Sequence, residues 1–291
     1  MDEKGVSCLL ELDGIDADSL VDMIKLSFSR ENWSAVLEIS DKLFEVIAIT
    51  YDISQYNTKT PQNLKIRRNI VYYFGYSLLM KGVAYQKMRQ YPESRKCINQ
   101  YRDLSWIKRI EEDGVAEVNY FQNMAKANGY VIDLLEGKVE VLSEYVSFLL
   151  SLDKAELLNG LLTVLESAIK YNYTIDWVLD LFKDQIVEIT NKEKREDVRS
   201  YIDYLYLHAT YLYKRNNISD AINLILDILK LSGNLDDETG FRKSIAFYEL
   251  IRRNASNSQQ EIHEEIINNI LEREFLNHEK SVLVVNSGII N

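Results

Sequence analysis

Residues 72–107, YYFGYSLLMKGVAYQKMRQYPESRKCINQYRDLSWI, decide the fold. Apolar and small residues recur at Ile70, Phe74, Leu78, Gly82, Tyr85 and Met88, then at Tyr91, Ser94, Ile98 and Tyr101, and both series take the three- and four-residue steps of a helix face. Arg89-Gln90-Tyr91 makes a turn between them. Pro92 follows where its missing N–H is one that a first helical turn leaves unbonded anyway. The stretch therefore predicts two antiparallel helices. One such hairpin cannot bury its apolar stripe alone, so the flanking sequence must supply further hairpins.

Composition agrees with that demand. The 291 residues include 2 prolines and 11 glycines, too few for a sheet-rich chain with many tight turns, and the fold class expected is all-α. Lys plus Arg number 34 and Asp plus Glu 45, a formal charge of −11 that repels nucleic-acid phosphates and points to proteins, peptides or small molecules as partners. Cys8 and Cys97 are too few and too far apart for a disulfide framework or a metal cluster, and Cys97 is expected to be packed in a helix. No apolar run approaches the ~20 residues of a membrane span, and the acidic start lacks the basic and apolar parts of a secretory signal. A cytoplasmic location is expected.

Outward from residues 72–107, five more hairpins are predicted. The first pairs 17–29 with 33–50 across Arg30-Glu31-Asn32, with a stripe at Val36, Ile39, Leu43, Val46 and Ile47. An irregular connector, 51–63, separates it from the central hairpin, which extends over 64–105. The third pairs 115–134 with 139–150 across Leu135-Glu136-Gly137-Lys138. The fourth pairs 154–170 with 175–190 across Asn172-Tyr173-Thr174, with Asp153 and Glu156 as a helix start. A polar run, 191–197, either an exposed connector or a solvated first turn, leads into the fifth, 201–232, which turns at Asn216-Asn217-Ile218. The sixth pairs 237–253 with 259–275, with Ser258 and Glu261 as a capping box. Gly129 takes in the third hairpin the place that Gly82 takes in the second, which predicts close helix packing at both. An acidic segment, 1–16, precedes the helices. In the tail, 278–291, the β-branched run 281–290 predicts a non-helical segment that covers the last hairpin, meets a second copy or occupies a groove of its own chain.

Residues of catalytic type form no pattern. His208, His263 and His278 stand apart, and His263-Glu264-Glu265 lacks the second histidine of a helical zinc site. No glycine-rich phosphate loop and no nucleophile elbow is present, so neither a cofactor nor an enzymatic activity is expected.

Gly82 and Tyr85 on one helix, the turn, and Ser94, Ile98 and Tyr101 on the other resemble a tetratricopeptide unit. Turns near Asn32, Gln90, Gly137, Tyr173, Asn217 and Ser256 are separated by roughly 36 to 58 residues, longer than the 34-residue repeat. The fold implied is a right-handed superhelix of about six tetratricopeptide-like helix hairpins over 17–277. In such an array the first helix of each pair lines the concave face. The positions there are Tyr76, Leu79, Val83 and Gln86, then Asn123, Lys126, Tyr130 and Asp133, then Asn159, Leu162 and Glu166, and finally Asp203, Tyr206, Thr210 and Tyr213. Asn123 and Asn159 fall at equivalent places, and an asparagine amide both donates to and accepts from a peptide bond. The candidate peptide-binding set is Tyr76, Gln86, Asn123, Lys126, Tyr130, Asn159, Glu166, Asp203, Tyr206 and Tyr213.

The segments YSLLMKGVAYQKMRQYPESRKCINQYRDLSWI and LLEGKVEVLSEYV resemble the repeat regions of peptide-sensing regulators of Gram-positive bacteria, the quorum-sensing receptor group. That resemblance spans about 17–275 and implies a short signalling peptide on the concave face, a homodimer or partner surface that responds to it, and transcriptional or signalling control. Those regulators carry a helix-turn-helix before the repeats. Residues 1–22 hold seven acids and one lysine, so no direct nucleic-acid contact is expected of this chain. It reads as the repeat region of a longer regulator or as a member acting through another protein. The alternative is a protein-interaction scaffold without a small-peptide signal.

Overall fold

The computed structural model describes residues 12, 14–56, 66–108, 110, 112–151, 154–190, 195–235 and 237–287. It is 84% helix, with twelve α-helices and no strand among the described residues. The chain divides into two compact units between Val141 and Leu142. The first holds α1 (Ala17–Ser29), α2 (Trp33–Tyr56), α3 (Ile70–Lys87), α4 (Tyr91–Arg102), α5 (Glu112–Leu135) and a 3-10 turn, Val139–Val141. The second holds α6 (Leu142–Leu149), α7 (Lys154–Tyr171), α8 (Asp176–Thr190), α9 (Arg195–Lys214), α10 (Ile218–Leu235), α11 (Glu238–Ile251) and α12 (Asn257–Ser287).

Four helix ends share one geometry. Glu31, Arg89, Gly137 and Asn216 take φ of 55, 61, 94 and 62°. In each case the next residue's amide reaches back five residues: Asn32 to Ser27, Gln90 to Tyr85, Lys138 to Asp133 and Asn217 to Leu212, at 2.8–2.9 Å. This left-handed cap satisfies carbonyls that a helix end otherwise leaves unbonded and reverses the chain within two or three residues. Asn172, after α7, has φ 59°. Five of the six turns expected from sequence lie at these places, and the sixth, near Ser256, falls between the end of α11 and the start of α12.

In the first unit α1 packs on α2, α2 on α3, α3 on α4 and α4 on α5, and α3 also meets α5. Leu20, Ile24, Val36, Ile39, Leu43, Ile47, Val71, Phe74, Ile98, Tyr101, Phe121, Ala125 and Ile132 form its core. At Gly82 the α3 and α4 backbones come close. A Cβ there would lie 3.2 Å from Cys97 Cβ, and Ser94 Oγ donates to the Gly82 carbonyl at 2.8 Å. Cys97 is buried in that contact, which pushes its thiol pKa up to about 11. Gly129 differs from Gly82: the nearest atom to a Cβ there is Arg102 Nη2 at 3.8 Å, so the expected close packing is found at Gly82 alone of the two.

In the second unit α7 lies along α9, α9 pairs with α10, and α10 meets both α11 and α12, while α8 joins α7 and α9 through fewer residues. Gln259 ties α12 to α10, its Nε2 donating to the Ser219 carbonyl at 3.0 Å and to Asn223 Oδ1 at 2.7 Å. His263 stacks on Tyr248 of α11 at 3.9 Å.

Several boundaries differ from the sequence reading. Residues 51–56 continue α2 instead of starting the connector, because Tyr51 packs against Phe74 and Trp106 and the Ser54 hydroxyl finds the Tyr51 carbonyl. Met88 ends the α3 stripe one step too late and is exposed at the helix cap. Residues 139–141 form the 3-10 turn, so α6 starts at Leu142. The capping box of α12 joins Ser256 and Gln259, whose amides each bond the other's side chain, in place of Ser258 and Glu261. Helix α12 runs on through Ser287, so 281–287 are helical: once a helix is nucleated, each added residue forms a bond that outweighs the modest β-branched penalty. The expected helix start at Asp153, the rest of the connector, the acidic segment up to residue 11 and Cys8 lie outside the described residues.

Candidate functional site

In the first unit the candidate face is built by α1, α3 and α5, and α3 divides its tyrosines between two tasks. Tyr73 is fully buried and its hydroxyl serves the fold, accepting from the Arg67 and Arg68 amides at 3.1 and 3.2 Å and donating to Asp18 at 2.5 Å. Tyr76, one turn later, is half-buried and stacks on Tyr72 with centroids 5.4 Å apart. Its hydroxyl has no hydrogen-bond partner among the described residues. Burial first, then the nearby Tyr72, Asp22 and Tyr120, push its pKa up, so it remains a neutral donor and acceptor.

Around Tyr76 the structure gathers residues that the sequence reading left out. The Arg68 guanidinium lies 3.6 Å from the Tyr72 ring centroid and pairs with Glu117 of α5 at 2.5 Å. Tyr120 of α5 is 48% exposed. Arg68, Tyr72 and Tyr76 are four residues apart on the run into α3, and that step was the available signal.

The other candidates of the first unit are placed as follows. Gln86 is half-buried in the last turn of α3, its carbonyl accepting from the Arg89 amide at 2.9 Å. Asn123 and Lys126 are exposed on α5 and Tyr130 is half-buried there. Asp133, read as a groove position, instead bonds Arg95 of α4 at 2.9 Å and Lys138 at 2.8 Å, and these two cations hold its carboxyl below the usual range against the effect of burial. It belongs to the α4–α5 contact.

No protein-family model, no curated protein and no solved structure matches the chain. Among the described residues no group of three or more His, Cys, Asp and Glu side chains is placed to hold a metal ion, and no helix is long and apolar enough to cross a membrane.

In the second unit Asn159 and Glu166 are exposed on α7 and Asp203 is exposed on α9. Tyr206 and Tyr213 are brought together by Phe247 of α11, at 5.8 and 5.7 Å, with Lys243 Nζ 5.9 Å from the Tyr206 ring. These two rings pack one first helix against the next.

Proposed function

We propose that the chain is a non-enzymatic, cytoplasmic regulatory protein whose hairpins follow the tetratricopeptide winding within each unit. It binds a short peptide on the face shared by first helices and passes the change to a dimer or partner surface, in transcriptional or signalling control. The observation that supports this most is Tyr76: a half-buried residue whose hydroxyl has no partner among the described residues, set among tyrosine rings where α1, α3 and α5 meet. A peptide carbonyl or amide satisfies that hydroxyl, the rings of Tyr72 and Tyr120 cover apolar side chains at low entropy cost, and Asn123 binds backbone in the same unit. A ligand touching both α3 and α5 favours the helix spacing that fits it, which is how occupancy reaches a distant surface.

Calorimetric titration of the full chain with a library of short peptides tests this. One peptide class binds, and Tyr76→Phe weakens it about five- to tenfold, the value of one hydrogen bond, without lowering thermal stability. Asn123→Ala and Asn159→Ala, in separate units, are measured singly. If no peptide binds and both asparagine variants leave regulation in cells unchanged, the reading is wrong. Recovery of one protein partner regardless of added peptide would favour a scaffold.

A further inference from the structure

Helix α8 buries one face and leaves another bare. Val178, Phe182 and Ile186, with Ile175 before them, point into the second unit. On the other side Trp177 and Leu181, four residues apart, are 46% and 43% exposed. Asp176, Asp180 and Asp184 run beside them at the same four-residue step, all exposed. Asp176, in the first turn, is favoured by the helix N-terminus, whereas Asp180 and Asp184 are neighbours on the helix and repel, with Lys183 the one cation beside them on α8 among the described residues. Asp176 accepts the Tyr211 hydroxyl at 2.8 Å, while Asp180 and Asp184 have no ion-pair or hydrogen-bond partner among the described residues.

We propose that this face of α8 docks a basic amphipathic helix of another protein. The partner's aliphatic side chains cover Trp177 and Leu181, and its lysines or arginines at four-residue steps meet Asp180 and Asp184. Pairing relieves the repulsion within α8, and the methylene stems of those basic residues lie along the tryptophan ring. Charge decides among the possible occupants: the same carboxylates, on a chain of net −11, repel nucleic-acid phosphates and anionic lipid headgroups. This surface is independent of the peptide-binding reading.

The test uses the full chain and a dye-labelled synthetic helix of about five turns, leucine at every third or fourth position and lysine elsewhere, followed by fluorescence anisotropy. The expected result is saturable binding that weakens roughly tenfold for a scrambled peptide of the same composition, for Trp177→Ala, and for the double variant D180N/D184N. Raising ionic strength from about 0.05 to 0.5 M weakens it as well. The double variant removes repulsion, so its melting temperature does not fall and its lost binding is not unfolding. Glu264→Gln with Glu265→Gln, an exposed acidic pair on α12, leaves affinity unchanged. Equal binding of the scrambled peptide, equal loss in the α12 variant, or unchanged affinity in D180N/D184N overturns the proposal. So does Trp177-dependent binding to phosphatidylglycerol vesicles or duplex DNA.

Discussion

Alanine at Gly82 and alanine at Gly129 should shift stability in opposite directions. Both glycines are interior to helices of the first unit, so the backbone gain on replacing either is similar, up to about 1 kcal/mol. At Gly82 the new carbon lies 3.2 Å from Cys97 Cβ, 3.7 Å from the Ser94 carbonyl oxygen and 3.8 Å from Tyr101 Cε1. Carbon atoms sit best at about 3.5–4.0 Å, so the helices must separate by a few tenths of an ångström. They resist because Ser94 Oγ is bonded to the Gly82 carbonyl at 2.8 Å and Tyr101 is fully buried behind it. Overpacking of this kind costs about 1–3 kcal/mol, which leaves Gly82→Ala destabilising by about 1 kcal/mol after the backbone gain. At Gly129 the nearest atom is the flexible end of Arg102 at 3.8 Å, so Gly129→Ala keeps its gain of about 0.5–1 kcal/mol. Urea denaturation followed by far-UV circular dichroism and tryptophan emission reads both as midpoint shifts. Equal stabilisation by the two changes would refute the tight α3–α4 contact, and clear destabilisation by Gly129→Ala would refute the open environment assigned to it.

Arg89 holds a left-handed φ of 61° without hydrogen-bonded need for its side chain there, so Arg89→Gly should raise stability by about 0.5–1 kcal/mol in the same denaturation assay, and destabilisation would show that the cap geometry is wrong. Burial, then the bond to Asp18, push the Tyr73 hydroxyl up to about 12 from its ordinary value near 10. Folding thus favours the protonated phenol: that contribution is complete below pH ~10 and is lost as pH rises towards 12. Tyr73→Phe should cost about 1–2 kcal/mol near neutrality and flatten that alkaline loss, and an unchanged pH profile would count against the Asp18–Tyr73 bond.

What the sequence makes legible is what short-range chemistry determines. The reversals after α1, α3, α5 and α9 were readable because a polar or glycine residue able to adopt positive φ stands between two apolar stripes, and the stripes themselves named Ile39, Leu43, Phe74 and Ile98 as core. Gly82 and Gly129 share a register in the sequence, yet whether a glycine is crowded depends on what the neighbouring helix presents, Cys97 in one case and the end of Arg102 in the other. Tyr51 shows the same limit at a boundary. Its flanking Ser, Asn and Thr favour a turn, but rings from α3 and the α4–α5 loop hold the helix through Tyr56. The ten candidate residues were legible as helical positions. Their company was legible only in part: Arg68 and Tyr72 precede Tyr76 at four-residue steps, whereas Glu117 and Tyr120 join them only through α3 and α5 being neighbours.

Tyr73 and Tyr76 separate what the fold requires from what it leaves over. They sit one turn apart on the same helix and carry the same group. At Tyr73 every capacity of the hydroxyl is used, with two amides donating to it and Asp18 accepting from it, and its presence is explained by the joining of α1 to the start of α3. At Tyr76 the ring packs on Tyr72, but the hydroxyl meets no partner among the described residues and no contact of the fold uses it. Stability therefore explains the hydroxyl at 73, whereas at 76 phenylalanine would serve the fold as well. Asp180 and Asp184 follow the same logic on α8, where they are neighbours at a four-residue step and have no ion-pair or hydrogen-bond partner among the described residues. Residues whose polar groups the fold does not use are where a partner's contribution is to be looked for.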